Sequence, residues 1–170
     1  MNSGTLLFLG VRVLHVVLAG LWLGAAFFVT VFLAPAVFKL GPVRDQVIAA
    51  LVRRGLVPFM ASIGGITVVS GLYLFMRLDP IVRSSRGGMA YNIGALTGVI
   101  ALIMGGSMFG RSAKKIAAIT EKVASMPEGA ERAAQMNEMA TLRGRMETFG
   151  KIVVVLLLIS MATMALGHYI

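Results

Sequence analysis

The chain has 170 residues, of which 58% are hydrophobic and only 14% are charged. Ordinary soluble domains are about 45–50% apolar and about 25% charged, so this composition excludes a disordered chain, a coiled coil and an ordinary soluble enzyme. The sequence has no cysteine, which excludes disulfides, iron–sulfur clusters and thiolate metal sites.

Four charge-free stretches of 19 to 26 residues predict four transmembrane helices, because about 20 apolar residues of helix cross a bilayer core. They are Val13–Phe38, Gly55–Met76, Gly87–Gly110 and Ile152–Ile170. We therefore predict one all-α transmembrane domain over residues 1–170, an integral membrane four-helix bundle. Its predicted helices cover about residues 5–40, 43–77, 89–125 and 130–169. No cleaved signal peptide is expected, because no Lys or Arg precedes Arg12 and the apolar run after it is too long.

The basic residues predict the orientation of the bundle. Connection one (39–55) and connection three (111–151) hold 12 of the 16 Lys and Arg residues, whereas connection two (77–86) holds 3. Basic loops stay on the cytoplasmic side of a membrane. We therefore expect connections one and three in the cytoplasm, both termini in the periplasm, and the protein in a bacterial inner membrane. Since no aromatic-interleaved basic motif occurs, the net charge of +9 does not indicate nucleic-acid binding.

Breaks and periodic patterns refine the four predicted helices. Gly41 and Pro42 interrupt the chain after the first helix, and Pro58 is expected to kink or restart the second. An apolar period continues in Arg111–Ser125, so helices 3 and 4 are predicted to extend into a cytoplasmic hairpin that turns at residues 127–129. This hairpin is either a solvated surface or a docking surface for a partner or anionic headgroups. The Gly94-x-x-x-Gly98 spacing predicts close helix packing.

Ionisable residues within membrane spans mark function by default, because a charge there is costly. The candidates are Arg12 and His15 on predicted helix 1 and His168 near the end of predicted helix 4. The spacing of helix 1 places five residues on one face that we expect to look into the bundle: Arg12, His15, Ala19, Trp22 and Ala26.

Two histidines on different helices at similar depth fit the axial ligands of a b-type haem. Counted from the cytoplasmic side, His15 and His168 both lie toward the outer face. Arg12, one turn from His15, would then pair with a haem propionate, and Trp22 on the same face is a further cofactor-binding candidate.

A copper site is the alternative cofactor prediction, because Cu(I) accepts imidazole and thioether ligands. Its candidate ligands are His15, His168, Met161 and Met164, and the last three share a helical face. Structural interpretations stay open for each residue. Methionine fills gaps in cores, His15 can hydrogen-bond a neighbouring helix, and His168 can be an interfacial residue beside Tyr169.

The opening of helix 1 resembles a known family. Leu14-His15, six further residues, Trp22 and Leu23-Gly24 resemble the LHxxxxxxWxG opening of the CopD (copper-resistance protein D) superfamily, and small four-helix relatives and HemJ-type protoporphyrinogen oxidases look similar there. The relatives also share a Gly-rich helix 3 with a basic continuation, here Gly94–Ile116, and a final Met-Ala-x-x-aromatic pattern, loosely matched by Met164–Tyr169.

The resemblance implies a role in copper movement across the inner membrane, or haem b binding with protoporphyrinogen oxidation. It carries over His15 as the helix 1 histidine. HemJ-type proteins continue with a charged and aromatic segment where this chain has the apolar Ala25–Leu33, so the chain departs from the oxidase pattern.

We therefore predict a CopD-like membrane protein that binds haem b or copper through His15, with His168 as partner and Arg12 in support. Haem b is slightly favoured, because two histidines suffice for a haem. The alternative is a non-catalytic accessory subunit of a larger membrane complex, with a partner subunit or a second copy. No hydrolytic motif occurs, and a HemJ-like oxidoreductase is the weaker alternative.

Overall fold

The computed structural model describes residues 2–170, apart from the side chain of Pro42. Every regular element in this range is helical. The first half of the chain forms α1 (Ser3–Phe28), a π-helical turn (Val29–Leu33), α2 (Ala34–Phe38), a 3-10 turn (Gly41–Val43), α3 (Arg44–Arg53) and α4 (Leu56–Met76). The second half forms α5 (Pro80–Ser84), α6 (Arg86–Met104), a second π-helical turn (Gly105–Phe109), α7 (Gly110–Ala124) and α8 (Ala130–Leu166).

Four of these helical segments are long and apolar enough to cross a membrane. They are Ser3–Phe38, Leu56–Met76, Arg86–Ala124 and Ala130–Leu166. Within the bundle, α1 packs along α4, and α6 packs along α8. The prediction of an all-α bundle with four long apolar helices is therefore confirmed.

The second predicted helix is interrupted at Gly55 and restarts at Leu56, so the predicted restart near Pro58 is confirmed, with the break at the glycine rather than at the proline. Gly55 has a φ of +93°, a left-handed conformation that favours glycine. Pro58 is the third residue of α4. Backbone N–H groups in a first helical turn have no intrahelical partner, so a proline at this position interrupts nothing.

The second connection is more helical than its composition predicts. Residues 77–86 contain the short helix α5, where Asp79 accepts a hydrogen bond from the Ile81 backbone N–H at 2.8 Å. The following helix begins at Arg86 rather than near residue 89, because the Ser85 hydroxyl caps the Gly88 N–H at 3.1 Å. Helix α5 and the early start of α6 both result from side-chain caps, which satisfy the free amides of a first helical turn.

The buried side chains form two clusters along the bundle. One lies among the apolar segments and consists of Trp22, Ala26, Ile63, Ala101, Val153, Val154 and Leu157. The other joins α2, α3, α7 and the first half of α8, and consists of Val37, Ile48, Ala113, Ile116, Ile119, Val123, Met139, Leu142 and Met146. We call the part built around this second cluster, residues 37–53 and 110–146, the charged half.

Ion pairs tie the helices of the charged half together. The carboxylate of Asp45 accepts hydrogen bonds from Arg143 Nη1 at 2.8 and 3.0 Å. On the surface, Arg53 pairs with Glu121 at 3.0 Å. Connections one and three therefore meet at the same end of the bundle. Two further pairs, Lys115–Glu138 and Lys122–Glu131, join α7 to α8.

The glycines of α6 pack closely against α8, as predicted from the Gly94-x-x-x-Gly98 spacing. The Ser160 hydroxyl donates to the Gly94 carbonyl at 2.7 Å. A Cβ atom at Gly94 would lie 2.7 Å from the Met164 side chain, and one at Gly98 would lie 3.3 Å from Ser160 Oγ. These contacts bring α8 against the backbone of α6.

Candidate functional site

The imidazole of His15 packs against α4 and has a defined hydrogen bond. Its Nδ1 lies 2.8 Å from the Thr67 carbonyl oxygen and 3.2 Å from the Ser70 hydroxyl. A carbonyl oxygen only accepts, so Nδ1 carries the proton. In the neutral ring Nε2 therefore holds the lone pair that a metal ion or a haem iron accepts. The ring is half-buried.

The hydroxyls near His15 are satisfied by their own helix. Thr67 donates to the Ile63 carbonyl at 2.7 Å, and Ser70 donates to the Ile66 carbonyl at 2.7 Å. Since the Ser70 proton is used within α4, its oxygen lone pair is free to face the His15 N–H. Both hydroxyls are buried. The orientation of the ring is therefore set by α4 and not by α1 alone.

Two glycines of α4 make room for two rings of α1. A Cβ at Gly71 would lie 2.6 Å from His15 Cε1, and a Cβ at Gly64 would lie 2.9 Å from the Trp22 indole. His15 and Trp22 are seven residues apart, as are Gly64 and Gly71, and the two helices run antiparallel. The two rings of the helix 1 motif that resembles the CopD opening thus also fix the register of α1 against α4.

The predicted inward face of α1 is confirmed for four of its five residues. Trp22 and Ala26 are buried, and His15 and Ala19 are half-buried. Arg12 is exposed, so its predicted place within the bundle is wrong. Burial of a guanidinium requires a paired anion, and the seven carboxylate residues all lie outside the four charge-free stretches.

His168 lies beyond the last helix. Helix α8 ends at Leu166, before the predicted residue 169, so the helical face predicted through Met161, Met164 and His168 does not continue to the histidine. The His168 ring is exposed and packs edge to face on Tyr169 at a centroid distance of 5.3 Å. This contact agrees with the structural alternative for His168, whose place at a membrane interface stays a prediction.

The two candidate methionine ligands have different surroundings. Met161 is 39% exposed, whereas Met164 is half-buried against Gly94. Met164 thus fills the space beside a glycine, as methionine commonly does.

The contacts of His15 and His168 share no residue, although both lie toward the end of the bundle opposite the charged half. No group of three His, Asp or Glu side chains able to hold a metal occurs among residues 2–170. Of the two imidazole nitrogens of His15, Nδ1 is hydrogen-bonded to α4 and Nε2 has no hydrogen-bond partner among residues 2–170. The pairing of His15 with His168 or with the methionines stays a prediction.

This end of the bundle is basic. Arg83 donates to the carbonyls of Met76 and Leu78 at 3.0 and 3.2 Å and thereby caps the end of α4. The Arg77 guanidinium lies 5.3 Å from the Tyr73 ring centroid. Arg12, on the N-terminal half of α1, is exposed.

Sequence reasoning identified His15 and Trp22 but missed Thr67, Ser70 and Gly71. The available signal was the matched seven-residue spacing of two glycines on α4 and two rings on α1. Using it requires the antiparallel register of the two helices, which a single sequence does not state.

No protein-family model, curated protein or solved structure matches the chain.

Proposed function

We propose that the chain is an integral protein of the bacterial inner membrane. Four helices have the required length and hydropathy. Large apolar side chains are exposed along all four, among them Val17, Val69, Leu96 and Val155. Such a surface is rare on soluble monomers. The charged half then lies in the cytoplasm, where the third and fourth membrane-spanning helices extend beyond the bilayer. Both chain ends then lie in the periplasm.

The absence of natural cysteines allows a direct test of this orientation. We expect Ser84→Cys to react with a membrane-impermeant maleimide in intact spheroplasts, because α5 is then periplasmic. Glu128→Cys should react only after lysis. Both positions are exposed, so reactivity reports the side of the membrane. The reverse labelling pattern would contradict the orientation. Labelling of both sites in intact spheroplasts would contradict their placement on opposite sides of the membrane.

We propose further that His15 binds a cofactor through Nε2, with haem b favoured and copper as the alternative. The observation behind this is the hydrogen bond from His15 Nδ1 to the Thr67 carbonyl. Histidines that ligate metals commonly donate the other ring N–H to a carbonyl or carboxylate, which fixes the tautomer and the ring orientation. The CopD-like opening of helix 1 agrees with this role.

Each residue around His15 has a distinct part in this proposal. His15 supplies the ligand nitrogen, Thr67 and Ser70 position the ring, and Gly71 leaves room for it. Arg12 and His168 would be the further residues that hold the group, Arg12 through its charge and His168 through its imidazole. A bound b-type haem would supply one-electron transfer.

Absorption spectra of the protein from haem-replete cells test the cofactor. We expect a Soret band and sharp α and β bands after reduction, and we expect His15→Ala to lose them. Ser70→Ala should lower haem affinity by less than the about 10- to 100-fold effect of losing the whole orienting group, because the Thr67 carbonyl still accepts from Nδ1. His168→Ala should convert a low-spin spectrum to a high-spin one. Tyr169→Phe, which keeps an aromatic ring beside His168, should leave the spectrum unchanged.

Metal analysis of the same sample separates the two cofactors. Near-stoichiometric copper without haem, lost in the Met161→Leu, Met164→Leu double variant, would support copper. A colourless and metal-free protein would contradict both.

A second candidate function is a non-catalytic subunit of a larger membrane complex. The fit of His15 and Trp22 to Gly71 and Gly64 favours it, because helix packing alone accounts for both rings. This role predicts a partner that co-purifies with the wild type and with His15→Gln alike. Loss of the partner in His15→Gln, together with loss of a haem spectrum, would favour the cofactor role.

A further inference from the structure

Two adjoining apolar cavities run beside α1 and the start of α4. The first has a volume of about 70 Å³ and reaches Trp22, and the second has a volume of about 40 Å³ and reaches Phe38 and Ile48. Val29, Leu56, Val57 and Phe109 line both. We call the combined space the apolar slot. It extends from the middle of the apolar segments to the junction of α2 and α3.

Irregular backbone and glycine keep the slot open. The two π-helical turns, Val29–Leu33 and Gly105–Phe109, each contribute residues to its wall. Such turns occur frequently at functional sites. Gly105 and Gly106 line the first cavity, and a Cβ atom at either position would meet no atom within 4 Å. Gly105 is half-buried and Gly106 is exposed, so a larger side chain at either position has room at the wall of the slot.

The chemistry of the slot favours hydrocarbon over water. A buried water needs two to four polar partners, whereas the walls are aliphatic and aromatic apart from Thr30 and the backbone of the glycines. The first cavity is also several times larger than the roughly 10–15 Å³ that one water requires. A few methylene groups of a flexible apolar chain match two small adjoining cavities that share wall residues.

Basic side chains stand where the slot meets α3. Lys39 directly follows Phe38 and is exposed, and Arg44 lies one helical turn before Ile48. Arg44 Nε is buried and has no hydrogen-bond partner among residues 2–170, although it lies 3.7 Å from an Asp45 oxygen. That Asp45 carboxylate is already bonded to Arg143. Positive charge at this junction matches an anionic headgroup.

We propose that the apolar slot binds one acyl chain of an anionic membrane phospholipid, with the headgroup at Lys39 and Arg44 and the chain end toward Trp22. This inference rests on the proposed membrane insertion and is independent of any cofactor at His15. The lipid stabilises the junction between the apolar segments and the charged half, because the slot walls come from both.

Trp22 is the single tryptophan of the chain and lines the slot, so its fluorescence reports occupancy. The protein is reconstituted in phosphatidylcholine bilayers that contain a fixed fraction of phosphatidylglycerol or phosphatidylcholine with dibrominated acyl chains, which quench tryptophan on close approach. We expect at least twofold stronger quenching by the brominated phosphatidylglycerol. Gly105→Leu and Gly106→Leu should each remove this excess.

Matched variants serve as controls. Gly65→Leu also meets open space but does not line the slot, and it should keep the excess quenching. Lys39→Gln with Arg44→Gln should abolish the preference for phosphatidylglycerol. The equal charge loss in Lys114→Gln with Arg145→Gln should not. Thermal melting in detergent, with and without added phosphatidylglycerol, checks folding and gives a second measure, because a ligand of the folded state raises Tm.

Three results would overturn the proposal. Equal quenching by both lipids shows ordinary bilayer contact, and unchanged quenching in the folded Gly105→Leu and Gly106→Leu variants places the lipid outside the slot. A stable dimer that abolishes quenching by either lipid assigns the slot to a second copy. Failure of membrane insertion would appear differently, as protein that does not float with the vesicles.

Discussion

Asp45→Asn should lower the free energy of unfolding by about 3–5 kcal/mol, because it leaves the Arg143 guanidinium buried without its counter-charge. Asp45 is 5% exposed, and the Arg143 side chain is 12% exposed. One nitrogen of Arg143 contacts both carboxylate oxygens at 2.8 and 3.0 Å. Denaturation in detergent micelles, followed by far-UV circular dichroism, measures the loss.

The opposite outcome is expected when both charges are removed together. Asp45→Leu with Arg143→Met should recover part of the stability, since an apolar pair of similar volume avoids the desolvation of two charges, while Arg44, 3.7 Å from Asp45, still loses its neighbouring carboxylate. The exposed Glu147–Lys151 pair at 2.7 Å is the matched control, and Glu147→Gln should change stability by less than about 0.5 kcal/mol. A loss of under about 1 kcal/mol for Asp45→Asn would contradict burial of the pair.

Trp22→Ala should cost about 3 kcal/mol of unfolding free energy, near the lower end of the range for a buried aromatic residue. Trp22 is 5% exposed and belongs to the core cluster of the apolar segments. Detergent and lipid tails are themselves apolar, so the loss comes from packing rather than from transfer out of water. The indole fills the space above Gly64, and its removal leaves a void between α1 and α4.

Combining Gly64→Ala with Trp22→Ala tests whether the indole and Gly64 are in contact. In the wild type it should destabilise by about 1–3 kcal/mol, because the added methyl would lie 2.9 Å from the indole. In the Trp22→Ala background the same methyl enters empty space and should be neutral or stabilising. Gly65→Ala, which meets no atom within 4 Å, should be neutral or stabilising in both backgrounds. Additive effects of Trp22→Ala and Gly64→Ala would contradict the contact between α1 and α4.

The same residues show which features of the fold were predictable. The four long apolar helices follow from uninterrupted hydropathy, and a close helix contact at Gly94 and Gly98 follows from their spacing, although the spacing does not name α8 as the partner. The restart of the second helix was predicted at Pro58, but its position at Gly55 and the helix α5 were not. The first depends on a glycine in the left-handed conformation and the second on the capping side chain of Asp79. Glycine and aspartate also occur at positions where no helix begins or ends, so the residue type alone does not predict these boundaries.

The candidate site was predictable only in part. An isolated histidine in an apolar helix indicated His15, but its partners lie 52 to 55 residues away on α4. The prediction that Arg12 faces the bundle interior was wrong. Helical spacing shows which residues share a face of α1, but it does not show how far along that face a neighbouring helix extends.

The sequence by itself determined the number of long apolar helices, the concentration of basic residues in connections one and three, and the positions of the glycines that permit close packing. These properties depend on residues near one another in the chain. Only the tertiary structure decided that His15 donates to Thr67, that Trp22 sits above Gly64, and that Asp45 meets Arg143 across 98 residues. Such contacts depend on the rotation and register of helices against each other, which many residues set together through packing.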